Sequence, residues 1–358
     1  MSRRPSPFPM PFLSRRHLLG NGVAIAATTS AFPRLAAAQN RQVNIYNWDT
    51  YIGETTVADF TEATGIEVRY DLFASNDELF SKLREGNPGY DVIFPSNDWV
   101  ERMIVAGLLN ELDHAKIPHF ANVDPVFANP TFDPGRAHSM PYMWGTMGIG
   151  YRKSVAEVHS WKDLLTDSGL TGRVSLLDDK HVVQMGLKYL GFSLNSRDPA
   201  EISAAADAII AAKQQVKAFS PDTGQDLLIS GEVDACQEWS GDILQVMTED
   251  DDLQYVVPEE GGNLWEDTMA IPKGAPHVEE AHEWINYILD AKVHASIAAY
   301  IQYACPNAAA MEFIPEADRD NPAIYPPREV LERCETLVYK GEEVESLYDD
   351  ALTRILAA

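Results

Sequence analysis

An α/β fold in two lobes is predicted by three features of the sequence. From Val43 onward, short apolar runs alternate with helix-spaced segments, three such pairs falling within about 65 residues. Two long extended segments, 143–151 and 264–272, lack helical periodicity and read as strands passing between lobes. The 358 residues, 45% hydrophobic, are enough for two cores rather than one.

The first strand is Val43-Asn44-Ile45-Tyr46, running out into Asn47-Trp48-Asp49-Thr50-Tyr51 just before a helix over 57–64. Gly65 is a good residue to end that helix. Ile66–Tyr70 alternates as a strand, and Ser75-Asn76-Asp77-Glu78 is a capping box opening a helix with Leu79, Phe80 and Leu83. Tyr90–Pro95 reads as a buried strand ending at Ser96, followed by a helix that closes at Gly107. Three βα units in succession imply a largely parallel sheet with right-handed crossovers. After a Pro-rich loop, Met143–Tyr151 is Gly-spaced and extended. A second set follows: a strand at 173–177, a helix at 182–190, an Ala-rich helix opened by Asp198-Pro199-Ala200-Glu201, and strands at 235–239 and 253–257. Helices near 279–289, 294–301 and 342–356 complete the chain.

Residues 1–38 read as an export leader. Ser14-Arg15-Arg16-His17-Leu18-Leu19 is a twin-arginine pattern, an apolar run follows, and Ala36-Ala37-Ala38 offers a small-residue cleavage site. That run is too short and too rich in Ala and Thr to span a membrane. A soluble periplasmic protein is expected. The leader holds five Arg and no acid, so its removal takes the formal charge from −26 to −31. Such a chain will not bind a phosphate backbone, which excludes nucleic acid. It suits a cationic ligand. Cys236, Cys305 and Cys334 are an odd number for an oxidising compartment, and a bridge between Cys305 and Cys334 would leave Cys236 free.

Trp and Asp recur together at the predicted strand ends and crossings: Trp48 with Asp49, Asp98 with Trp99 beside Ser96, Trp239 with Asp242, and Trp265 with Asp267. Asp178 ends another strand, and Tyr303 follows a helix. Indole faces attract ammonium groups by about 0.5–2 kcal/mol per contact, and each methylene taken from water adds about 0.8 kcal/mol. A carboxylate strengthens its hydrogen bond to an ammonium. A micromolar ligand needs about 8 kcal/mol, within reach of a flexible organic cation held by two or three such contacts. A single aromatic–acid pair is more often core packing beside a solvated acid; the repetition is what points to a cleft.

Tyr46-Asn47-Trp48 through Tyr51, Ser75-Asn76-Asp77-Glu78, Pro95-Ser96, Pro141-Tyr142-Met143-Trp144-Gly145-Thr146, Trp265-Glu266-Asp267 and Ile324-Tyr325-Pro326 resemble the periplasmic spermidine/putrescine-binding proteins of ABC transporters. The resemblance covers nearly all of the chain after the leader. It implies two α/β lobes, each a central mixed sheet flanked by helices, with the ligand cleft between them. One lobe would comprise 39–146 with 267–308, the other 147–266 with 309–358. Carried over by position, Trp48, Asp49, Thr50, Tyr51 and Ser96 would line one wall. Asp178, His181, Trp239, Asp242, Trp265, Asp267 and Tyr303 would supply the rest. The implied protein is a monomer that captures a polyamine for an inner-membrane ABC permease, with no catalysis and no cofactor.

Two departures bear on specificity. Family members carry Ser or Thr directly after the first Trp and then an acid, whereas here the order is Asp49-Thr50, which turns the carboxylate to the other face of an extended chain. Where members place a Glu, this chain has His181, which repels a cation when protonated. Another cationic amine (an amino-acid derivative, an opine or a quaternary amine) is therefore the alternative ligand class. A glycoside hydrolase with paired carboxylates is a remote one, since no Gly-x-Ser-x-Gly, His-Glu-x-x-His or phosphate loop occurs. Asp250-Asp251-Asp252 lacks calcium-loop spacing, and no metal is expected.

Overall fold

The structure, a computed structural model, describes residues 41–358; the expected leader lies outside them. Strand β1 (Gln42–Trp48) buries Val43, Ile45 and Tyr46 and runs parallel to β2 (Glu67–Phe73) and β3 (Val92–Ile93). Helices α1 (Thr56–Thr64) and α2 (Asn76–Arg84) are the crossovers, and α3 (Asn97–Val105) follows β3. Gly65 ends α1 at φ +71, and Ser75 opens α2 by accepting from the Glu78 N–H, both as the sequence implies. Strand β3 is shorter than the sequence suggests. Pro95 has no N–H for a ladder, and Asp91 is engaged otherwise, its carboxylate accepting from the backbone N–H groups of Asn44 and His277.

Strand β4 (Ser139–Arg152) contains the glycine-spaced segment that the sequence marks as extended. The second set comprises α4 (Trp161–Thr166), β5 (Val174–Leu177), α5 (Lys180–Tyr189), α6 (Pro199–Ala211), β6 (Val216–Ser220), α7 (Gly224–Ile229), β7 (Ala235–Trp239), α8 (Ser240–Met247), β8 (Leu253–Val256) and β9 (Leu264–Ala270). The sequence reading passed over α4, β6 and α7. Two are six-residue helices, too short to show a period, and β6 is an edge strand with no clean alternation of burial. Helices α9 (Val278–Ile288), α10 (Ala291–Ile301), α11 (Glu316–Arg319), α12 (Arg328–Leu331) and α13 (Glu342–Ala357) close the chain.

The strand order is β2-β1-β3-β9-β4-β7-β5-β6, with β8 also on β4. Both flanks are parallel, as the βα succession implies, while β9 and β4 run antiparallel to their neighbours, so the sheet is mixed, as the resemblance implies. Two main cores result. One gathers Phe60, Tyr142, Trp284 and Ile297; the other gathers Trp161, Val174, Leu187 and Tyr348. Trp239 packs against both. No helix among the described residues is long and apolar enough to cross a membrane. The Cys305–Cys334 bridge is not formed. All three cysteines are free thiols, with Cys236 and Cys305 buried and the Cys334 thiol donating to Val330 O within its own turn.

Candidate functional site

A cleft of about 330 Å³ lies where the ends of β1, β3, β5 and β7 converge on β9, a volume at the small end of the range for ligand sites. Its spine is a run of edge-to-face rings. His181 meets Trp239 at 5.0 Å, Trp239 meets Trp265 at 5.8 Å, Trp265 meets Tyr303 at 5.1 Å, and Tyr303 meets Tyr51 at 5.4 Å. Two glycines make room for it. A Cβ on Gly145 would lie 2.7 Å from the Trp265 ring, and one on Gly241 2.5 Å from the Tyr303 ring.

The carboxylates take their places from the strand pattern. Along β9, Trp265 and Asp267 point into the cleft, while Glu266 between them turns away to the buried guanidinium of Arg136. Asp267 is 8% exposed, and its Oδ1 accepts from Ser96 Oγ at 2.6 Å. Ser96 also accepts from Asn76 Nδ2 at 3.0 Å. Burial pushes the Asp267 carboxyl up to about 7, against the hydrogen bond from Ser96 and the nearby Tyr51 hydroxyl, which favour its charge. Asp242, in the first turn of α8, accepts from Tyr303 Oη at 2.8 Å. Burial holds it well above the usual carboxylate range, with Asp222 adding like charge.

Asp222 and Glu238 complete a cluster with Asp242, each offering a carboxylate oxygen within 4.8 Å of the others. Glu238 is fully buried just behind the wall, accepting from the Gly224 and Trp239 N–H groups. Asp222 is on the exposed side of the cluster; the surrounding protein and then the charge of Asp179 raise its carboxyl to about 6, against the hydrogen bond with Glu238, which lowers it. Burial and then the charges of Asp222 and Asp242 raise Glu238 well above its ordinary value. Among the described residues none of Asp222, Glu238, Asp242 and Asp267 has a basic partner within ion-pair distance. The set is poised for an external cation that displaces protons.

Of the residues singled out from sequence, Trp48, Asp49, Tyr51, Ser96, Asp178, His181, Trp239, Asp242, Trp265, Asp267 and Tyr303 all line this cleft. Thr50 does not: it is exposed, at φ +49. Asp49 lies on the exposed rim with a carboxylate oxygen accepting from the Thr50 N–H, and Asp178 is likewise on the rim. Trp48 donates its Nε1–H to Phe94 O, which fixes its ring against Phe73. Asp222 and Glu238 escaped notice. The first follows the edge strand β6, and the second is an acid inside a strand, where no spacing rule marks it.

The chain matches the model of the bacterial extracellular solute-binding protein family over residues 55–324. It is 35% identical over 331 residues to spermidine/putrescine-binding periplasmic protein 1 of Haemophilus influenzae, covering 91% of both chains. To the spermidine/putrescine-binding periplasmic protein of Escherichia coli K12 it is 33% identical over 347 residues, covering 96% of this chain and 98% of that one. A solved structure described as a putative spermidine/putrescine ABC transporter from Listeria monocytogenes superposes with a TM-score of 0.84 at 34% identity, covering 88% of this chain and 99% of that one. Family, fold and cleft agree: the protein belongs to the bacterial extracellular solute-binding proteins, which bind and hand over a solute rather than transform it.

Proposed function

We propose that the protein captures a polyamine of the putrescine or spermidine kind in the periplasm and delivers it to an inner-membrane ABC permease, acting as a monomer. The observation that carries this reading is the set of carboxyls around the aromatic spine, Asp222, Asp242 and Asp267, that have no basic partner within ion-pair distance among the described residues. The names of its relatives support it. Trp239 and Trp265 flank the methylene chain, and Asp242 and Asp267 receive ammonium. The lobes that close on the ligand are 39–146 with 267–308, and 147–266 with 309–358, behind a cleaved leader of residues 1–38. Calorimetric titration with putrescine and spermidine is expected to give micromolar binding or better, about 8 kcal/mol. Absence of heat with both, alongside binding of a neutral sugar, would remove the reading.

A second reading within the same fold, a cationic amine other than a free polyamine, is favoured by one feature. His181 Nδ1 lies 2.9 Å from both oxygens of Asp179, so an acid at one end of the cleft is already neutralised.

A further inference from the structure

We propose that Glu238 is held as a neutral carboxylic acid whose O–H donates to Asp222, and that this fixes Asp222 as a carboxylate which, together with Asp242, takes one ammonium of the ligand. This rests on the reading of the cleft as an amine site. It adds a ligand-contacting residue, Asp222, and a positioning residue behind it, Glu238.

Glu238 is an acid inside a strand, fully buried, where an unpaired Glu is almost never found. It does not line the cleft, whereas Asp222 and Asp242 both do. Its Oε2 accepts from the Gly224 N–H at 3.0 Å and its Oε1 from the Trp239 N–H at 3.1 Å. These bonds tie the end of β7 to the first residue of α7, and Asp222 lies just before that helix. A Cβ on Gly224 would lie 2.5 Å from Oε2, so only glycine allows this approach. One side chain therefore fixes both the backbone at Trp239 and the loop that carries Asp222.

Three carboxyls offering oxygens within 4.8 Å of one another do not all ionise in a place poor in water. Tyr303 and Asp226 face Asp242, Cys236 and Tyr255 face Glu238, and Asp179 and His181 face Asp222. Of these groups only His181 is basic, and it is bonded to Asp179. The shared proton belongs to the acid with least access to water. Glu238 has none, while Asp222 is exposed and Asp242 is partly so. The two backbone N–H bonds favour a charged Glu238, but complete burial beside two acids is the larger effect. A carboxylic acid can accept both N–H groups and still give its O–H, which a carboxylate lacks.

Asp222 then keeps its charge with a donor behind it. Its oxygen lies within 4.8 Å of one on Asp242. An ammonium about 2.8 Å from each oxygen spans that separation, with the Trp239 ring on the same wall.

Carboxyl carbon NMR of Glu-labelled protein tests the proton without any ligand. The Glu238 signal, identified by its loss in Glu238→Gln, is expected at the neutral-acid position from pH 6 to 8. A signal at the carboxylate position overturns the proposal. Putrescine titrations then test the contact, each variant being checked for folding by its melting curve. Asp222→Asn is expected to weaken binding about tenfold. Glu238→Met should weaken it about as much, and the double variant no more than either alone. Glu238→Gln, which keeps a donor for Asp222, should bind about threefold tighter than Glu238→Met. Losses that add in the double variant overturn the positioning role, and an unchanged affinity in Asp222→Asn overturns the ammonium contact. Should Glu238→Met fail to fold, the wild-type signal and the Asp222→Asn titration decide. A wild type that binds neither putrescine nor spermidine overturns the amine reading itself, and the NMR signal still locates the proton.

Discussion

Ser96 and Asp267 are tied twice: they form an isolated antiparallel backbone bridge, and Ser96 Oγ donates to Asp267 Oδ1 at 2.6 Å. The double tie fixes an uncompensated acid where β3 ends against β9. Asp179 is held differently: its carboxylate accepts from the His181 N–H at the start of α5 and is occupied by the His181 imidazole.

The two acids therefore differ in what their removal does. Asp267→Asn is expected to weaken putrescine about tenfold or more, the loss of a charge-assisted hydrogen bond of about 1.5–3 kcal/mol. Asp179→Asn should change it by less, since the charge lost there is already spent on the imidazole. Equal affinities of the two variants by calorimetry would contradict this placement of the ligand.

Binding should strengthen as pH rises from 6.5 to 8. Asp267 titrates near 7 in the empty cleft because burial disfavours its charge, and a bound ammonium needs the carboxylate, so a proton leaves on binding. His181, raised by Asp179 against the effect of burial, loses its charge with rising pH and acts in the same direction. The stability of the ligand-free protein runs the other way. Groups whose folded pKa is raised, Asp267 and Glu266 near 7 and His181, contribute stability that is lost as pH rises through the folded value. His294, which burial lowers to about 4, opposes them only below about 6.5, outside the window. The melting temperature without ligand should fall over pH 6.5–8 while the ligand-induced increment grows. Calorimetry in buffers of different ionisation enthalpy should register the released proton.

Gly241 tests the ring spine without touching a polar group. A Cβ there would lie 2.5–2.6 Å from the Tyr303 ring, so Gly241→Ala must displace the ring that bonds Asp242 and packs on Trp265 and Tyr51. Overpacking of this kind costs about 1–3 kcal/mol. A lower melting point and a loss of affinity at least as large as that of Tyr303→Phe are expected, measured by thermal melts and titration.

The thiols give a direct chemical check on the chain's covalent state. Cys236 and Cys305 are buried and unpaired, and burial pushes the Cys305 thiol up to about 12, far from the reactive range. Denatured, unreduced protein should titrate three thiols with a disulfide-exchange reagent, and the native protein fewer. One thiol in the denatured protein would restore the bridge.

The sequence carried the architecture well where periodicity or capping chemistry is local. The capping box at Ser75, the glycine stop at Gly65 and the two long extended segments all stand where their residues indicate. The aromatic and acidic pairs at strand ends were legible because a ligand site needs exposed polar groups where a strand would otherwise simply stop. What escaped was long-range. Asp222 reaches Asp242 only through the edge strand β6, whose partly exposed residues give no alternation. Glu238 belongs to a strand interior and acquires its role from Gly224, fourteen residues away. That His181 neutralises Asp179 was hidden for a different reason: the two are close in sequence, but only the turn opening α5 aims both side chains at each other.

Arg136 tests the support on the far side of β9. It is fully buried at φ +55, its Nη2 lies 2.5 Å from Glu266 Oε1, and its Nε donates to Phe127 O at 2.8 Å. Glu266 sits between Trp265 and Asp267, so this pair sets the orientation of the strand that presents both to the ligand. Breaking a buried ion pair by removing one partner costs about 3–5 kcal/mol, because the remaining charge is left uncompensated. Arg136→Met is expected to lose stability of that order in urea unfolding, and the double variant with Glu266→Gln should recover part of it, since the amide needs no counter-charge. Burial already holds Glu266 near 7, so the single variant should be least damaged at pH 6 and most damaged at pH 8, where the unpaired carboxylate must ionise or stay protonated at a cost. A destabilisation independent of pH would mean that Arg136 acts by packing alone.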